Sequence, residues 1–401
     1  MIQRDYLIIG AGIGGASVCQ TLREYDQKGS VTLVGNEAIL PYYRPRLFAS
    51  LLADKAPPTV SAPTAPELEK ILHLAPQWYS DNRIELRLDT LVTQFNIERR
   101  LAVLSTGQVI EFRKACLATG SRPRRLQVAG ANLGKVLTLR TMRDVLALRE
   151  IASEEKSIVI IGGGFIAAEA AAALRAMGLE VQIMSRHPYL WQEMLDTETA
   201  RWLTDYYEGR GVTLLNETLN GFEGKTVLRN IQAKSGNRIH AGVAVIAAGV
   251  DLNLGLVLNT PLASPNGTPV NEYLETDEKG IYAVGDIALY PDPIFGGVRH
   301  TAHWETTLEQ AHIAGGNITG KKRQKFKALP CHTSTVFDLN FEFIGDFRQT
   351  PVRFEIEGDR SKRQFSARYY QGSKLMGMLL CNQPTEVSTE AKQELLLAHK
   401  R

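Results

Sequence analysis

Cysteine is scarce in this chain. Its 401 residues include four, Cys19, Cys116, Cys331 and Cys381, widely scattered and never in a CxxC pair. That scatter argues against a paired-thiol metal site and leaves buried, reduced thiols and no bound metal as the expectation. Long apolar runs are missing as well. The longest reach about 10 residues and are broken by glycine, against the roughly 20 of a membrane-spanning helix. Strand-forming residues begin almost at Met1, which leaves no room for a signal peptide and makes a cytoplasmic location the expectation. Nor is there a large excess of charge: a net +3 is too small to point to nucleic acid. What remains, 44% apolar and 22% charged, is the composition of an ordinary globular protein. The length exceeds one hydrophobic core and should divide into two or three domains.

Two glycine-rich fingerprints stand out against this plain background. Gly10-Ala11-Gly12-Ile13-Gly14-Gly15 follows the apolar run Tyr6-Leu7-Ile8-Ile9, and Gly162-Gly163-Gly164-Phe165-Ile166-Ala167 follows Ser157-Ile158-Val159-Ile160-Ile161. A strand, a glycine turn and a helix set a pyrophosphate on backbone N–H groups at a helix N-terminus, where the dipole favours its charge. Gly10 permits the tight turn, Gly12 lets backbone approach phosphate and Gly15 lets helix meet strand. One copy would be a weak signal. Two copies imply two dinucleotides held at once, and the economical pair is a flavin with the nicotinamide that reduces it.

The surrounding pattern supports both copies. Residues 5–9, 12–25 and 31–34 read as strand, helix and strand, and residues 157–161, 165–177 and 180–184 repeat the unit. Residues 40–82, with Pro57-Pro58 and Pro63, read as helix and loop, and shorter strands follow near 84–88, 91–95, 101–105 and 108–112. Ala115 to Gly120 and Val243 to Gly249 are two apolar strands that each end in glycine, an internal echo of two similar folds, one inserted in the other. A helix is expected at 196–210 and a strand at 211–215, and Ile281 to Asp286 would return the chain to the first fold. Residues 328–382 alternate like antiparallel strands, and a helix near 386–399 closes the chain. The run Lys321-Lys322-Arg323-Gln324-Lys325-Phe326-Lys327 reads either as a solvated linker or as a docking surface for an acidic partner.

Glu37, just past the second strand, can bond ribose hydroxyls, and Gly285-Asp286 supplies a second acid beside a ribityl chain or, more blandly, a surface turn. With Pro41-Tyr42-Tyr43-Arg44-Pro45, Leu117 to Pro123, Gly162 to Glu169 and Tyr282 to Asp286, the chain resembles the FAD-dependent pyridine-nucleotide reductases. Within them it resembles the ferredoxin- and rubredoxin-reductase branch, with the reductase components of bacterial oxygenases and, more distantly, apoptosis-inducing factor. The resemblance covers residues 4 to 345. It implies an α/β architecture of two Rossmann-like three-layer nucleotide-binding domains, one inserted in the other, plus a small α+β C-terminal domain. The expected limits are 1–114 and 250–322 for FAD, 115–249 for NAD(P)H and 323–401 for the last domain.

By this resemblance Gly10, Gly12, Gly14, Gly15, Glu37, Arg44, Thr119, Gly120, Arg122, Gly285 and Asp286 hold FAD, with Trp304 flanking it. Gly162, Gly164, Ala167, Ser185, Arg186, His187 and Gly249 hold the nicotinamide dinucleotide. Relatives with a redox-active disulfide carry CxxxxC near the Pro41 segment, and this stretch has no cysteine. Electrons must then leave the flavin directly. Where NADH users usually carry an acid after the second strand, this chain has Ser185-Arg186-His187, which makes NADPH the expected donor and NADH the alternative. The alternative reading is that Arg186 only covers a helix end.

Three further departures bear on chemistry. Glu169 matches a family glutamate that lies between nicotinamide and flavin, ion-paired to a lysine whose position here is Ala49. Without that cation Glu169 should titrate high or take another partner, Arg44 being nearest in sequence, unless it is merely a stabilising charge near the helix start. Glu169, Trp304 and Arg44 are the expected catalytic residues. The residue before His303-Trp304 is Ala302 where the family tends to have glutamate, and Trp304 may be read as flavin-facing or as packing. Pro330 to Asp338 keeps the rhythm of a flavin-lining segment with smaller or polar residues, and His332 there is either a proton donor or structural.

The expected activity is hydride transfer from NAD(P)H to FAD, then single electrons to an acidic iron–sulfur protein, a ferredoxin or rubredoxin, by a monomer or homodimer. The alternatives are reduction of oxygen, a quinone or a small molecule, and a non-catalytic redox-sensing flavoprotein.

Overall fold

A computed structural model describes residues 1–47, 65–348 and 353–400. Two largely parallel sheets make its frame. The first runs Ile84–Arg87, Val31–Val34, Ile2–Ile9, Val109–Leu117 side by side, with Ile281–Ala283 on the end of Val109–Leu117. Leu101–Leu104 and Val92–Asn96 extend it as an antiparallel flap. Consecutive residues Tyr6, Leu7, Ile8 and Ile9 are all buried, as a parallel strand covered on both faces requires. Helix Ile13–Tyr25 crosses between Ile2–Ile9 and Val31–Val34 and packs along helix Trp304–Thr319. Gly315 permits that close approach, since a Cβ there would lie 2.8 Å from the Val18 carbonyl.

The second sheet is wholly parallel: Val212–Asn216, Glu180–Ser185, Ser157–Ile161, Val243–Ile246 and Val136–Thr138. An antiparallel trio, Leu219–Gly224, Leu228–Ala233 and Arg238–His240, covers one side. The small-residue helix Phe165–Ala176 is buried along Ala167, Ala168 and Ala170 to Ala173. Strand Val136–Thr138 and helix Met142–Ala152 were not among the expected elements. The helix nevertheless carries a start signal, because Thr141 accepts from the Asp144 N–H at 3.2 Å and Asp144 accepts from the Thr141 N–H at 2.9 Å.

The chain passes between the two lobes along one antiparallel pair, Ser121–Pro123 with Val250–Leu252. This corrects the expected boundary at 115. Ala115, Cys116 and Leu117 pair with Leu7, Ile8 and Ile9, so the strand that ends in Gly120 belongs to the first sheet and the crossing follows it. The boundary at 323 is also too early: Phe326 is buried in the first lobe's core and its N–H donates to the Glu272 carbonyl. The basic run lies against that lobe, with Lys325 on Glu272 at 2.6 Å, Lys321 on Asp26 at 3.5 Å and Arg323 over the Tyr273 ring.

The last unit is a five-stranded antiparallel sheet in the order Cys331–Val336, Leu339–Gly345, Lys374–Cys381, Gln364–Gln371, Arg353–Asp359, with helix Thr385–Ala398 packed on it. Phe341, Phe343 and Phe365 point from it into a core shared with Trp191 and Leu203 of the second lobe. The chain is thus a mixed α/β protein of two nucleotide-type lobes and a small α+β unit. Ala49, Pro57-Pro58 and Pro63 lie outside the described residues, while helices Ala65–Ile71 and Pro76–Asp81 bear out the helical part of the 40–82 stretch. No helix among the described residues is long and apolar enough to cross a membrane. The cysteines are all free; Cys331 is half-buried and the other three are buried.

Candidate functional site

The two glycine turns have the same backbone. Gly12 caps helix Ile13–Tyr25 at φ −87°, ψ −171°, and Gly164 caps Phe165–Ala176 at φ −87°, ψ −170°. Gly10 has φ +117° and Gly162 φ +129°, a region that only glycine enters without strain. A Cβ on Gly10 would fall 2.1 Å from the Ala118 carbonyl oxygen, and one on Gly162 would fall 2.3 Å from that of Ala247. Each turn is thus pressed against the glycine-ended strand of its own sheet. A Cβ on Gly15 would lie 1.9 Å from the Gly10 carbonyl, so that residue sets how closely helix meets turn, while Gly14 is confined by Thr307. At Gly12 and Gly164, by contrast, a Cβ would meet nothing within 4 Å. The space before both helix starts is open, and neither cap residue offers a side chain to the first N–H groups. Those groups need an acceptor, and a phosphate suits both the need and the helix dipole.

Around the first cradle the polar groups form one network. Glu37 accepts from the Tyr42 hydroxyl at 2.6 Å and pairs with Arg44 at 2.7 Å; Arg44 also donates to the Arg140 carbonyl at 2.8 Å. The Arg140 guanidinium reaches Asp286 at 2.7 Å, and Ser121 Oγ donates to the same carboxylate at 2.6 Å. Burial alone would raise the Asp286 pKa, but Arg140 and Ser121 hold it below the usual carboxylate range. Asp286 therefore stays an acceptor. Lone pairs remain on both carboxylates for ribose or ribityl hydroxyls, so the residues fit a flavin dinucleotide. Arg140 was missed from the sequence; the only local hint is its place between a strand end and the Thr141 cap. Thr119 ties the crossing together through Asn253, with bonds of 2.9 Å in both directions, and Gly120 and Gly249 turn at φ +65° and +98°. Arg122 is exposed on the crossing strand.

At the second cradle the expected groups are differently used. Ser185 is buried and its hydroxyl accepts from the His187 N–H at 3.1 Å, so it braces the turn. Arg186 and His187 both reach Glu193 Oε1, at 2.7 and 3.0 Å, on the surface. An acid does sit beside this strand end after all, supplied from the following loop rather than from the strand. Ala167 is fully buried beneath the turn.

Glu169 lies between the two lobes and the C-terminal sheet. Its partner is Ser334, whose hydroxyl donates at 2.6 Å from the edge strand Cys331–Val336. The expected pairing with Arg44 does not form, because Glu37 holds that guanidinium. Burial raises the Glu169 pKa to about 7, with Ser334 opposing and the Glu305 carboxylate adding to the rise. Next door, Thr333 gives both its N–H (2.8 Å) and its hydroxyl (2.5 Å) to Glu305, whose second oxygen is buried without a partner. Burial, opposed by those bonds, pushes the Glu305 carboxyl up as well.

Two aromatic groups flank the site. Trp304, half-buried at the start of its helix, meets Tyr43 edge-on at 5.8 Å, and Tyr43 meets His73 at 5.2 Å. His303 stacks on His332 at 4.0 Å, and His332 on Phe343 at 4.7 Å, with Phe165 edge-on to all three. Burial lowers the His303 pKa to about 4 and that of His332 well below its ordinary value, so both rings are neutral. A neutral imidazole packed between rings reads as structure here, and His332 loses its claim as proton donor.

Comparison with known proteins agrees with this geometry. The family model described as pyridine nucleotide-disulphide oxidoreductase matches residues 4–316. Rhodocoxin reductase of Rhodococcus erythropolis is 30% identical over 392 residues, 95% of this chain and 87% of that protein. The peroxisomal monodehydroascorbate reductase 4 of Arabidopsis thaliana is 28% identical over 389 residues, covering 94% and 78%. The crystal structure of a ferredoxin reductase from Rhodopseudomonas palustris superposes with a TM-score of 0.89 at 27% identity, covering 96% of this chain and 93% of that one. The chain belongs to the pyridine nucleotide-disulphide oxidoreductase family, as an oxidoreductase whose cofactors are FAD and NAD(P)H.

Proposed function

We propose that this protein takes hydride from a nicotinamide nucleotide, NADPH in preference to NADH, and passes electrons one at a time to an acidic iron–sulfur protein of the ferredoxin or rubredoxin class. The observation that carries this reading is the pair of matching open cradles, with Glu169 and Trp304 in the region between them. The first lobe holds FAD through Gly10, Gly12, Gly14, Gly15, Glu37, Thr119, Gly120, Gly285 and Asp286, with Arg44 and Arg140 bracing the two carboxylates. The second holds the nucleotide through Gly162, Gly164, Gly249, Arg186 and His187. When bound, FAD supplies the interconversion between a two-electron donor and one-electron acceptors. This chain's own part is to align the two rings, keep water out with Trp304 and Tyr43, and position the nicotinamide beside Glu169. The described cysteines lie two in the first lobe, Cys19 and Cys116, and two in the last sheet, Cys331 and Cys381, all free, so no thiol relay intervenes.

Preference for NADPH rests on Arg186 and His187. The Arg186–Glu193 ion pair is exposed and worth at most about 1 kcal/mol, less than a 2′-phosphate dianion offers the same guanidinium, with His187 beside it as a further hydrogen-bonding group. Support for an iron–sulfur acceptor comes from the likeness to the ferredoxin reductase of Rhodopseudomonas palustris and to rhodocoxin reductase. A second reading, a small organic oxidant, is favoured by one feature: Thr333 and Thr335 face outward from the edge strand at the segment that would line the flavin, where small side chains leave access. The monodehydroascorbate reductase likeness points the same way.

Anaerobic titration tests the donor and stopped-flow the acceptor. NADPH should bleach the bound flavin at lower concentration than NADH, and reoxidation should accelerate with added ferredoxin or rubredoxin. If no such protein accelerates it while quinones or organic radicals do, the second reading replaces the first.

A further inference from the structure

A hydride carries two electrons and one proton. When the electrons depart singly to a one-electron acceptor, one proton per nucleotide oxidised must leave the site, because NADPH gives NADP⁺, H⁺ and two electrons. That balance rests on the function proposed above, and a group near the ring contact that takes up and releases a proton at neutral pH can carry it.

We propose that Glu169 is that proton-carrying residue, with Ser334 and Glu305 as the positioning residues that set its protonation. Three structural features converge on it. Glu169 stands on helix Phe165–Ala176 just after the Gly164 cradle, half-buried, at the junction of the two lobes and the last sheet. Its hydrogen-bond partner among the described residues is the Ser334 hydroxyl, which can turn to either oxygen but cannot fix the charge as a cation would. The neighbouring edge-strand residue Thr333 pins the Glu305 carboxylate in place, with one oxygen buried and unpaired, so a second acid presses on the first. Adjacent residues of one strand, Ser334 inward and Thr333 outward, thereby hold two acids, one stabilised as carboxylate and one repelling it.

The remaining groups facing Glu169 leave it free to titrate. Tyr207, on helix Thr197–Glu208, spends its hydroxyl on the Ala168 carbonyl at 2.9 Å and stays protonated through burial. His332 and His303, reached across the Phe165 ring, are neutral. The balance of burial, Ser334 and Glu305 places the Glu169 pKa at about 7, where a carboxyl exchanges a proton in both directions.

The test is a pH titration of holoenzyme labelled with carboxyl-¹³C glutamate, followed by NMR. One carboxyl should titrate near neutrality and vanish in Glu169→Gln. Glu305→Gln should lower that midpoint and Ser334→Ala raise it, each by about one pH unit. With NADPH, ferricyanide as acceptor and an indicator dye, Glu169→Gln should release its proton about tenfold more slowly. A wild-type midpoint in the ordinary carboxylate range, shifts of the same sign in the two neighbours, or unchanged proton release would each overturn the proposal. Because the titration needs no acceptor, a wrong acceptor assignment would leave it standing. Because Glu305→Gln and Ser334→Ala read the same signal, a poorly folding Glu169→Gln would not remove the test.

Discussion

At Glu169 the protonation state is coupled to stability. Its folded pKa of about 7 lies above the unfolded carboxylate value, so the native state binds the extra proton between those two pH values. Stability from this group is complete below the unfolded pKa and is lost as pH rises through about 7. Glu169→Gln should therefore match wild type near pH 4 and exceed it by about 2 kcal/mol at pH 8, read by urea unfolding of the apoprotein. The buried imidazoles act in the opposite sense. His303, with its pKa lowered to about 4, and His332, held well below its ordinary value by burial, stay neutral when unfolded histidines protonate, so stability falls as pH drops below about 6.5. His332→Phe, which keeps the stack on Phe343, should flatten that slope. At the nucleotide end, Arg186→Ala should raise the KM for NADPH about tenfold and leave that for NADH within about twofold. Glu193→Gln should lower the NADPH value by freeing the Arg186 guanidinium. An unchanged NADPH constant in Arg186→Ala would remove the phosphate-reading role.

The glycine turns make their predictions as elements. Gly12 and Gly164 look into open space, whereas Gly15 has backbone 1.9 Å from where its Cβ would be. Gly12→Ala should fold normally and lose flavin affinity by about 10- to 100-fold, because the methyl takes the space of a phosphate. Gly164→Ala should keep the flavin and raise the KM for nicotinamide nucleotide. Gly15→Ala should instead destabilise the apoprotein by about 2–4 kcal/mol, since neither helix nor turn can yield. Thermal melts with and without added FAD separate these outcomes. The elements themselves were largely legible. Both strand–turn–helix units, the two glycine-ended strands and the antiparallel tail follow from short-range periodicity and glycine placement. What local pattern could not reveal is membership: Ala115 to Leu117 joins the first sheet because of its register with Leu7 to Ile9, more than a hundred residues away.

Across the whole molecule, the last sheet is fastened to the second lobe by more than its aromatic contacts. Tyr369 donates to buried Asp196, the cap of helix Thr197–Glu208, at 2.9 Å; Arg360 meets Glu198 at 2.9 Å; and Asp338 accepts from Tyr206 and Arg210. Trp191, held at φ +56°, packs edge-on against Phe341 and Phe343. Tyr369→Phe should cost about 1–3 kcal/mol, because it strips a donor from a buried carboxylate. Unfolding should stay a single transition by fluorescence and circular dichroism; an early separate loss of the C-terminal sheet would show the seam to be weaker than this.

Glycine spacing and strand periodicity determined by themselves that this chain carries two dinucleotide cradles, and cysteine placement determined that no thiol pair stands beside the first. Those are local properties, written in runs of a few residues. Only the tertiary structure decided the partners: Arg140 with Asp286, Arg44 with Glu37 rather than Glu169, Ser334 with Glu169 and Glu193 with Arg186. Two of these, Arg140 with Asp286 and Ser334 with Glu169, join residues from different units, brought together by two chain crossings and a packed seam. A side chain's charge state depends on which neighbour arrives there, and no local pattern specifies that.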